Sequence, residues 1–413
     1  MKSNLLYDDN SINKILIAGL CGIGDLLFFI PTLKALRTHY RNAEIDLLMF
    51  PNGVDNLLER NDLINHFIIF PFEKYIFEKQ EQNAFRRFQK IVQVILFVRK
   101  RKYELAIWPF AFTTFQKKAL SFLFGAKANI IHKGRASLMD FVFCRNAYWI
   151  GFQKNIHNVK LNLSLLEPFN SIEIKDEKIN ISLSDEDIVF GKEYLNRLSN
   201  GKKKFFVGFH PGGKLLWSRY RQWEISKFAD LADKISKRYN SFTLIFGTRG
   251  EKDILEKMAN LMQTESVIID SLSLREVSSI INLLDLFIGN DSALIHIAAC
   301  LGIRSISITG PTNFERTGPW GEQAYVVRLG IPCSPCFDIG FAPYCPYHFC
   351  LKKLESNYVF SVIEKIINSP NKQKENFYPI IYNHPDIFHI EKAFPDFFLK
   401  RRNWESRHNY ESH

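Results

Sequence analysis

Short apolar runs that end in glycine or in small polar residues recur along both halves of the chain. When helical patterns separate such runs, they are typical of buried strands. The first half predicts strands at 14–19, 44–50, 66–70 and 105–109, with helices near 83–102 and 115–124. The second half predicts strands near 205–209, 242–246, 267–269, 286–288 and 304–308, with a helix over 251–262. Strands that alternate with helices form parallel sheets, so the sequence predicts an α/β protein with a parallel sheet in each half.

The same pattern divides the 413 residues into segments. Residues 1–166 and 203–355 each show the alternation of a Rossmann-like domain, and the charged, Ser- and Asp-rich residues 167–202 are interpreted as a connector. A helix is predicted over 356–369, followed by a basic, aromatic tail at 370–413. Because strand ends in both halves carry polar groups, we expect two facing domains with a cleft between them.

The first strand leads into the most informative loop of the chain. Gly22 and Gly24 lie in this loop, and Asp25 follows where the next helix begins. Ligands of open α/β sheets bind outside the carboxyl ends of the strands, so Asp25 is well placed to take a proton from a bound hydroxyl. The alternative is that Asp25 is a helix N-cap, a position that favours aspartate. This segment alone leaves both interpretations open.

A second strand end, in the other half of the chain, carries three small polar residues. Asn290, Asp291 and Ser292 are all favoured at helix N-caps. Their small side chains leave the backbone N–H groups of the helix start open to an anion, which the helix dipole also favours. His296 shares the helix face of Ser292. The alternative is an ordinary capped helix with a core histidine.

The order of these and further motifs resembles glycosyltransferase family 9, the heptosyltransferases of lipopolysaccharide core assembly. The matching motifs are Gly24-Asp25, His210-Pro-Gly-Gly213, Arg221-Gln-Trp223, Gly247-Thr-Arg-Gly-Glu251, Asp291-Ser-Ala-Leu-Ile-His296 and Thr309-Gly-Pro-Thr312. Two positions depart from the family pattern. Arg221 stands where the family usually has lysine, and Ala293 stands where it usually has glycine.

The resemblance implies a GT-B fold and an inverting, metal-independent glycosyltransferase that needs no cofactor besides its nucleotide-sugar donor, ADP-heptose. It implies that Asp25 is the catalytic base and that the late helix crosses back to the first domain. Arg221 and the helix start would hold the pyrophosphate, and Glu251 the ribose. The donor-binding residues implied are His210, Gly212, Gly213, Arg221, Glu251, Asp291, Ser292, Ala293 and His296.

The chain is basic, with a net charge of +11, which indicates an anionic partner. No motif of the common nucleic-acid-binding modules is present. A nucleotide sugar, an anionic glycolipid acceptor and a peripheral membrane surface account for the charge as well, so we expect no nucleic acid. The candidate acceptor-binding residues are Gly22, Gly24, Arg86, Arg87 and Lys90, the last three of which have a solvated helix face as their alternative.

Two features of the sequence bear on location. The polar N-terminus lacks the apolar core of a signal peptide, and the apolar runs are too short to span a membrane. We therefore expect a cytoplasmic protein, with peripheral association on the cytoplasmic face of the inner membrane. The aromatic and basic residues at 394–404 fit a membrane interface, with a disordered tail as the alternative.

Four of the seven cysteines cluster late in the sequence. Cys333 and Cys336 form a C-x2-C pair, and Cys345 and Cys350 follow with His348 between them. Such spacing fits a structural zinc site. The alternative is a proline-rich loop with buried free thiols, since cytosolic chains seldom keep disulfides.

Two other functional classes compete with a glycosyltransferase. A nicotinamide-dependent dehydrogenase would use Gly22 and Gly24, but Leu27 stands where the third glycine of its fingerprint belongs. A non-catalytic nucleotide- or lipid-binding protein of the same fold is the second alternative. The presence of both Asp25 and the helix after Asp291 argues for an enzyme.

Overall fold

The computed structural model describes residues 12–71, 84–109, 115–133, 143–144, 146–153, 156–169, 171–201, 204–213, 220–336, 345, 347–369 and 377–384. The chain forms two compact units. Unit 1 comprises Met1–Ile188 with Ser273–Ser278, and unit 2 comprises Val189–Leu272 with Ser279–His413. Each unit is built on one parallel sheet with helices, as the sequence predicts.

Unit 1 contains six parallel strands in the order β3-β2-β1-β4-β5-β6. These strands are β1 Lys14–Gly19, β2 Glu44–Met49, β3 His66–Ile69, β4 Leu105–Ile107, β5 Ala128–His132 and β6 Ala147–Ile150. The helices are α1 Ile23–Leu27, α2 Ile30–His39, α3 Val54–Leu58, α4 Ala84–Lys100, α5 Phe115–Phe124, α6 Asn158–Ser164 and α7 Asp185–Leu198, the last of which continues into unit 2. β1 lies in the centre and is buried except at Lys14, which is why it reads as an unbroken apolar run.

Unit 2 contains seven parallel strands in the order β13-β12-β11-β10-β7-β8-β9. These strands are β7 Phe205–His210, β8 Ser241–Phe246, β9 Ser266–Ile269, β10 Leu286–Asn290, β11 Ser305–Ile308, β12 Ala324–Arg328 and β13 Ile380–Asn383. The helices are α8 Ile225–Tyr239, α9 Lys252–Leu261, α10 Leu274–Ile281, α11 Ala293–Cys300, α12 Phe314–Thr317, α13 Phe349–Lys352 and α14 Ser356–Asn368, with a 3₁₀ turn at Arg249–Glu251. Of these helices, α10 begins in unit 1.

Both sheets have a point at which the strand order reverses. In unit 1 the chain runs from β1 to β2 on one side and later returns to add β4 on the other side. In unit 2 the same happens around β7, which lies between β8 and β10. Ligands of open α/β sheets bind at the carboxyl ends of the strands next to such a switch point. Asp25 follows β1, and Asp291 follows β10, so both lie at switch points of their own sheets.

The structure confirms every predicted strand to within about two residues, and it adds four that the sequence pattern did not predict: β5, β6, β12 and β13. Within the predicted connector 167–202, residues Asp185–Leu198 form the helix α7, which the sequence pattern did not predict. The predicted late helix is present as α14. Its buried residues Val359, Val362 and Ile363 pack in the same core as Trp223 of unit 2.

Candidate functional site

A histidine and a serine join the ends of two neighbouring strands in unit 2. β7 ends at His210, and Gly289 of β10 pairs with it in register. His210 Nδ1 shares a hydrogen bond of 2.7 Å with Ser292 Oγ. Ser292, one of the three candidates, is the N-cap of α11, but its side chain makes no hydrogen bond to the helix start. The hydroxyl is directed to His210 instead, and the N–H groups of the first turn of α11 have no side-chain cap from Ser292.

Next to this pair, Asp291 is enclosed by cationic and polar side chains. Arg221 Nη1 donates a hydrogen bond of 3.1 Å to Asp291 Oδ2. His296 Nε2 lies 3.5 Å from Asp291 Oδ1. Burial by itself would raise the pKa of Asp291, but His296, the charge of Arg221 and the hydroxyl of Thr312 outweigh burial and lower this pKa to about 2. Asp291 is therefore an anion at neutral pH, and it holds Arg221 at the start of α11.

Glu251 lies on the other side of His210. It closes a capping box at the 3₁₀ turn, because its Oε2 accepts hydrogen bonds of 2.9 Å from both the N–H and the hydroxyl of Thr248. Its Oε1 lies 3.8 Å from His210 Nε2. Burial alone would raise the pKa of Glu251, but His210 and the Thr248 donors lower it to about 2. The residue is thus a buried carboxylate with one oxygen engaged by its own turn.

The loop after β7 packs closely against the Glu251 carboxylate. A Cβ atom on Gly212 would lie 2.5 Å from Glu251 Oε1, so a larger residue cannot replace this glycine without displacing the carboxylate. Asn290 fixes the loop from the other side, since its Nδ2 donates to the Pro211 carbonyl (2.9 Å) and its Oδ1 accepts from the Trp223 N–H (2.9 Å). The loops of the His-Pro-Gly-Gly and Arg-Gln-Trp motifs are therefore held together by one buried amide.

The structure thus brings most of the predicted donor-binding residues into one cluster at the switch point of unit 2. His210, Gly212, Arg221, Glu251, Asp291, Ser292 and His296 are joined by the contacts above, Ala293 is the first residue of α11, and the Gly213 carbonyl accepts a hydrogen bond of 3.0 Å from Gln222 Nε2. Thr248, Asn290 and Thr312 were part of the predicted motifs or cap, but sequence reasoning did not assign them to the site. The Thr-x-x-Glu spacing of a capping box was a sufficient signal for Thr248.

In unit 1, the structure tests the N-cap interpretation of Asp25. α1 begins at Ile23 with Gly22 as its N-cap, so Asp25 is the third residue of the helix and not the N-cap. The N-cap interpretation is therefore wrong. The half-buried carboxylate lies over Gly22, where an added Cβ would be 3.5 Å from Asp25 Oδ2. The acid is held at the carboxyl end of β1 without capping the helix.

Two neighbours define the charge around Asp25. Burial raises the pKa of the Cys21 thiol strongly, and the negative charge of Asp25 raises it further. The positive charge of Lys117 acts on the same thiol in the opposite direction. Lys117 belongs to α5, and no sequence signal connected it with the first loop. The charges of Asp25 and of Lys117, from a distant helix, therefore both act on the Cys21 thiol.

The candidate acceptor-binding cations lie on α4. Arg86 and Lys90 are exposed there, and the side chain of Arg87 lies outside the described residues. Because α4 connects β3 to β4, it begins at the edge of the sheet where β1 ends and where Asp25 lies. This is consistent with the predicted acceptor role but shows no contact with Asp25, so the role of these residues, and of Gly22 and Gly24, stays a prediction.

The late cysteines are free thiols. Burial raises the pKa of Cys350, and the neighbouring Cys336, Cys333 and Cys345 raise it further. The His348 N–H donates to Cys345 Sγ at 3.4 Å. Within the part of the chain that the structure describes, a different group, Glu44, Asp46 and His66, has the closely spaced donors that a metal ion needs. The structural zinc site stays a prediction.

The Glu44 group is already neutralised by side chains of unit 1. Arg101 Nε lies 2.9 Å from Asp46 Oδ2, and the Arg101 guanidinium also pairs with Glu44. Tyr103 donates its hydroxyl proton to the same Asp46 carboxylate. A guanidinium in direct contact with both carboxylates opposes a metal cation there. We interpret this group as a structural ion-pair network.

Comparison with known proteins identifies the family of the chain. The model of glycosyltransferase family 9 (heptosyltransferase) matches residues 119–342, more than half of the chain. The lipooligosaccharide heptosyltransferase 2 of Campylobacter jejuni (serotype O:6, strain 81116) is 27% identical over 364 residues, which cover 86% of this chain and 99% of that protein.

Two solved structures show the same fold. A glycosyl transferase family 9 protein of Veillonella parvula aligns with a TM-score of 0.67 at 17% identity, covering 86% of this chain and 97% of that one. The E. coli heptosyltransferase WaaC with ADP aligns with a TM-score of 0.60 at 16% identity, covering 86% of this chain and 99% of that one. These likenesses confirm the predicted GT-B fold with its two parallel-sheet domains.

Proposed function

We propose that this chain, which belongs to glycosyltransferase family 9 (the heptosyltransferases), transfers heptose from ADP-heptose to a sugar of a lipopolysaccharide or lipooligosaccharide core. Family membership makes it a glycosyltransferase, and it decides against the dehydrogenase and the non-catalytic binding protein. The name of the Campylobacter jejuni relative and the ADP in the WaaC structure support the donor and the acceptor class. The observation that carries the proposal is the contact of Arg221 and the buried His296 with the buried Asp291 at the start of α11.

The donor's diphosphate binds at the start of α11. The first N–H groups of a helix point along its axis and attract an anion. Arg221 is held there by Asp291, and its side chain remains about one-fifth exposed (22%), which leaves a face for a phosphate oxygen. A guanidinium and a helix N-terminus together stabilise the charge that develops on the departing ADP. This arrangement supports departure of ADP without a divalent metal ion.

The acceptor hydroxyl is activated by Asp25. Its oxygen attacks the anomeric carbon of the heptose, the bond from that carbon to the diphosphate breaks, and ADP leaves with the electron pair. The hydroxyl proton passes to the Asp25 carboxylate. Attack opposite to the leaving group inverts the configuration at the anomeric carbon. The half-buried position of Asp25 at the carboxyl end of β1 supports this role.

The last part of the proposal concerns where the protein is located in the cell. We propose a cytoplasmic location with peripheral association on the cytoplasmic face of the inner membrane, where the glycolipid acceptor would be met. The net charge of +11 supports attraction to such an anionic surface. Among the described residues, no helix has both the length and the apolar character that crossing a bilayer requires.

A donor and acceptor assay tests the proposed function. Purified full-length protein is incubated in excess chelator with ADP-heptose, UDP-glucose or GDP-mannose and a truncated core oligosaccharide, and mass spectrometry measures the product and the released nucleotide. We expect a mass gain of one heptose from ADP-heptose only, with the anomeric configuration inverted by NMR. A product from UDP-glucose alone, or a strict requirement for added Mg²⁺, would refute the donor and the metal-independent mechanism respectively.

A further inference from the structure

Helix α4 buries one apolar face against the sheet of unit 1. Ile91, Val94, Ile95 and Val98 lie on this face and pack against the core that contains Leu16 and Trp108. Their spacing of three and four residues is the one expected for a helix with a single buried stripe. This stripe accounts for the packing of α4 against the core. Apolar residues on other sides of the helix therefore need a different explanation.

A second apolar stripe on α4 is exposed. Phe85, Phe88 and Leu96 are 66%, 62% and 60% exposed. They lie at positions i, i+3 and i+11, which share one side of a helix, and the half-buried Val92 lies between them at i+7. Isolated exposed apolar residues are ordinary, but a continuous exposed apolar stripe marks an interaction surface.

The adjoining helix α5 extends the stripe. Arg99 Nη1 of α4 donates to the Leu123 carbonyl at the end of α5 (3.2 Å), so the two helix ends are neighbours. Phe122 and Leu123 are 52% and 38% exposed, which places more apolar surface beside α4. We name the exposed residues Phe85, Phe88, Leu96, Phe122 and Leu123 the docking face.

The two helices that carry the docking face have charges of one sign. α4 carries five Lys and Arg residues and no Asp or Glu, and α5 carries two lysines and no Asp or Glu. The side chains of Arg86, Lys90 and Lys100 are exposed. A second copy of this chain would bring the same cations against them, whereas an anionic bilayer offers complementary charge over a broad area.

We propose that the docking face binds the surface of an anionic lipid bilayer, with its Phe and Leu side chains entering the boundary between headgroups and acyl chains. Amphipathic helices with cations on one side and Phe or Leu on the other lie in this way in the plane of a membrane interface. The apolar side chains contribute burial, and the exposed cations contribute attraction to anionic headgroups.

The placement of the docking face fits the chemistry proposed above. Phe85 and Phe88 lie in the first turns of α4, which begins at the edge of the sheet where Asp25 follows β1. A bilayer bound there would bring a lipid-anchored sugar to the acid of the same unit. This purpose rests on the proposed function, but bilayer binding itself requires neither donor nor acceptor and can be measured without turnover.

Vesicle sedimentation with the full-length protein tests the proposal. We expect the wild type to bind vesicles of phosphatidylglycerol mixed with phosphatidylcholine and to ignore vesicles of phosphatidylcholine alone. Phe85→Ser with Phe88→Ser is expected to weaken binding at least about tenfold, because burial of each apolar side chain is lost. The matched control is Leu261→Ser on α9 of unit 2, a residue that is 47% exposed and should leave binding unchanged.

A second set of variants tests the contribution of charge by neutralising Lys90 and Lys100. Lys90→Gln with Lys100→Gln is expected to weaken binding about fivefold per residue, corresponding to about 1 kcal/mol for each cation near an anionic surface. Lys257→Gln, which removes an exposed lysine of α9, is its control. Higher salt should weaken wild-type binding in parallel.

A direct readout covers the case in which the serine variant does not fold. Phe88→Trp should show a blue-shifted indole fluorescence when anionic vesicles are added, and an unshifted spectrum would overturn the proposal. Wild-type binding by the folded serine variant would also overturn it, as would equal binding to both lipid compositions. Loss of binding on deleting residues 394–413 with the docking-face variants unaffected would assign the membrane contact to the tail.

Two further results separate this inference from the proposed function. If light scattering shows that the serine variant converts a dimer to a monomer and its vesicle binding is intact, the docking face is a contact between copies and the proposal is wrong. If vesicle binding follows expectation but no heptose is transferred to a soluble core oligosaccharide, the proposed function fails and the docking face stands. If the proposed function and the docking-face proposal are both correct, the serine variant retains turnover of the soluble acceptor.

Discussion

His210 Nδ1 and Ser292 Oγ are 2.7 Å apart, so a single hydrogen bond ties the end of β7 to the start of α11. A serine at an N-cap usually turns its hydroxyl to its own helix. Here the Ser292 hydroxyl bonds to His210 at the end of the neighbouring strand, and it makes no hydrogen bond to the N–H groups of its own helix. The contact therefore couples two motifs that are separated by 81 residues of chain yet adjacent at the switch point of unit 2.

A double-mutant cycle measures this coupling. His210→Gln and Ser292→Ala should each destabilise the protein, and the double variant should lose less than the sum, with a coupling of about 0.5–1.5 kcal/mol for one buried hydrogen bond. Urea unfolding supplies the free energies. The control cycle pairs His210→Gln with Ser273→Ala, whose hydroxyl accepts from the Glu276 N–H in a separate capping box. Additivity of the first pair within error would contradict the contact.

Gly212 should not tolerate a side chain. The Cβ of Gly212→Ala would lie 2.5 Å from Glu251 Oε1, and relieving this overlap costs about 1–3 kcal/mol. We expect a lower melting temperature and weaker ADP binding, because the shifted carboxylate disturbs His210. Gly151→Ala is the control, since nothing lies within 4 Å of an added Cβ there. Equal melting temperatures for the two variants would show that the loop at Gly212 is not packed on Glu251.

The sequence predicted the fold well because most strands are short, largely apolar runs that end near glycine, proline or polar residues. Two of the four strands that it missed, β6 and β13, lack this signature, whereas β5 and β12 are short buried runs that the pattern did not separate from their surroundings. β13 is partly or fully exposed at all four residues, and the sequence of β6, Ala147–Ile150, is short and mostly half-buried. Such strands are specified by pairing with a neighbour rather than by a pattern of their own. Helix α7 was missed because the charge of its first turn resembles a linker.

For the candidate site, the sequence identified residues but not their partners. Arg221 and Asp291 are joined across 70 positions of chain, and only the packing of β10 beside β7 brings them together. Whether Asp25 is the N-cap depends on the first residue of α1, which would be Leu26 in that interpretation and is Ile23 in the structure. Helix starts are among the least certain features of a sequence, so the structure was needed to show that Gly22 is the N-cap.

The lowered pKa of Asp291 makes an acid-dependent contribution to stability. The pKa is about 2 in the folded protein and near the ordinary 3.8 when unfolded, so folding is favoured where the group is ionised. The contribution of about 2 kcal/mol is complete above pH 4 to 5 and is lost as the pH falls towards 2. The difference in unfolding free energy between wild type and Asp291→Asn should shrink by about 1 kcal/mol from pH 5 to pH 3.

Chemical denaturation at pH 5, 4 and 3 checks this expectation. The difference between wild type and variant is used because it removes the titration of the other acids. Asp285→Asn, which changes an acid that accepts from the Phe206 N–H, is the control. If the difference in unfolding free energy between wild type and Asp291→Asn stays constant or grows towards pH 3, Asp291 is not held as the buried anion described above.

Nucleotide selectivity tests the cluster at the start of α11. ADP should raise the melting temperature more than UDP or GDP in excess chelator, because a ligand that binds only the folded state stabilises it by about 2.7 kcal/mol at a hundredfold excess over its Kd. Arg221→Ala should remove most of the shift. Arg238→Ala, which removes an exposed arginine paired with Glu364, should keep it. A full ADP shift in Arg221→Ala would exclude this arginine from the diphosphate site.

Asp25→Asn separates chemistry from folding. The variant keeps the shape of the side chain but cannot accept a proton, and loss of a general base costs about 10²–10⁴ in rate. Its cost in stability is small, since a first-turn carboxylate contributes only about 0.3–1 kcal/mol and Asp25 is not the N-cap. We expect a protein that melts near the wild type, shows the full ADP shift and transfers almost no sugar.

Asp55→Asn is the matched control for Asp25→Asn, because Asp55 occupies the first turn of α3 in the same unit. It should lose the same small stability and keep full turnover. If Asp25→Asn retains more than about a tenth of wild-type turnover, above the range for a lost base, the proton goes to another group.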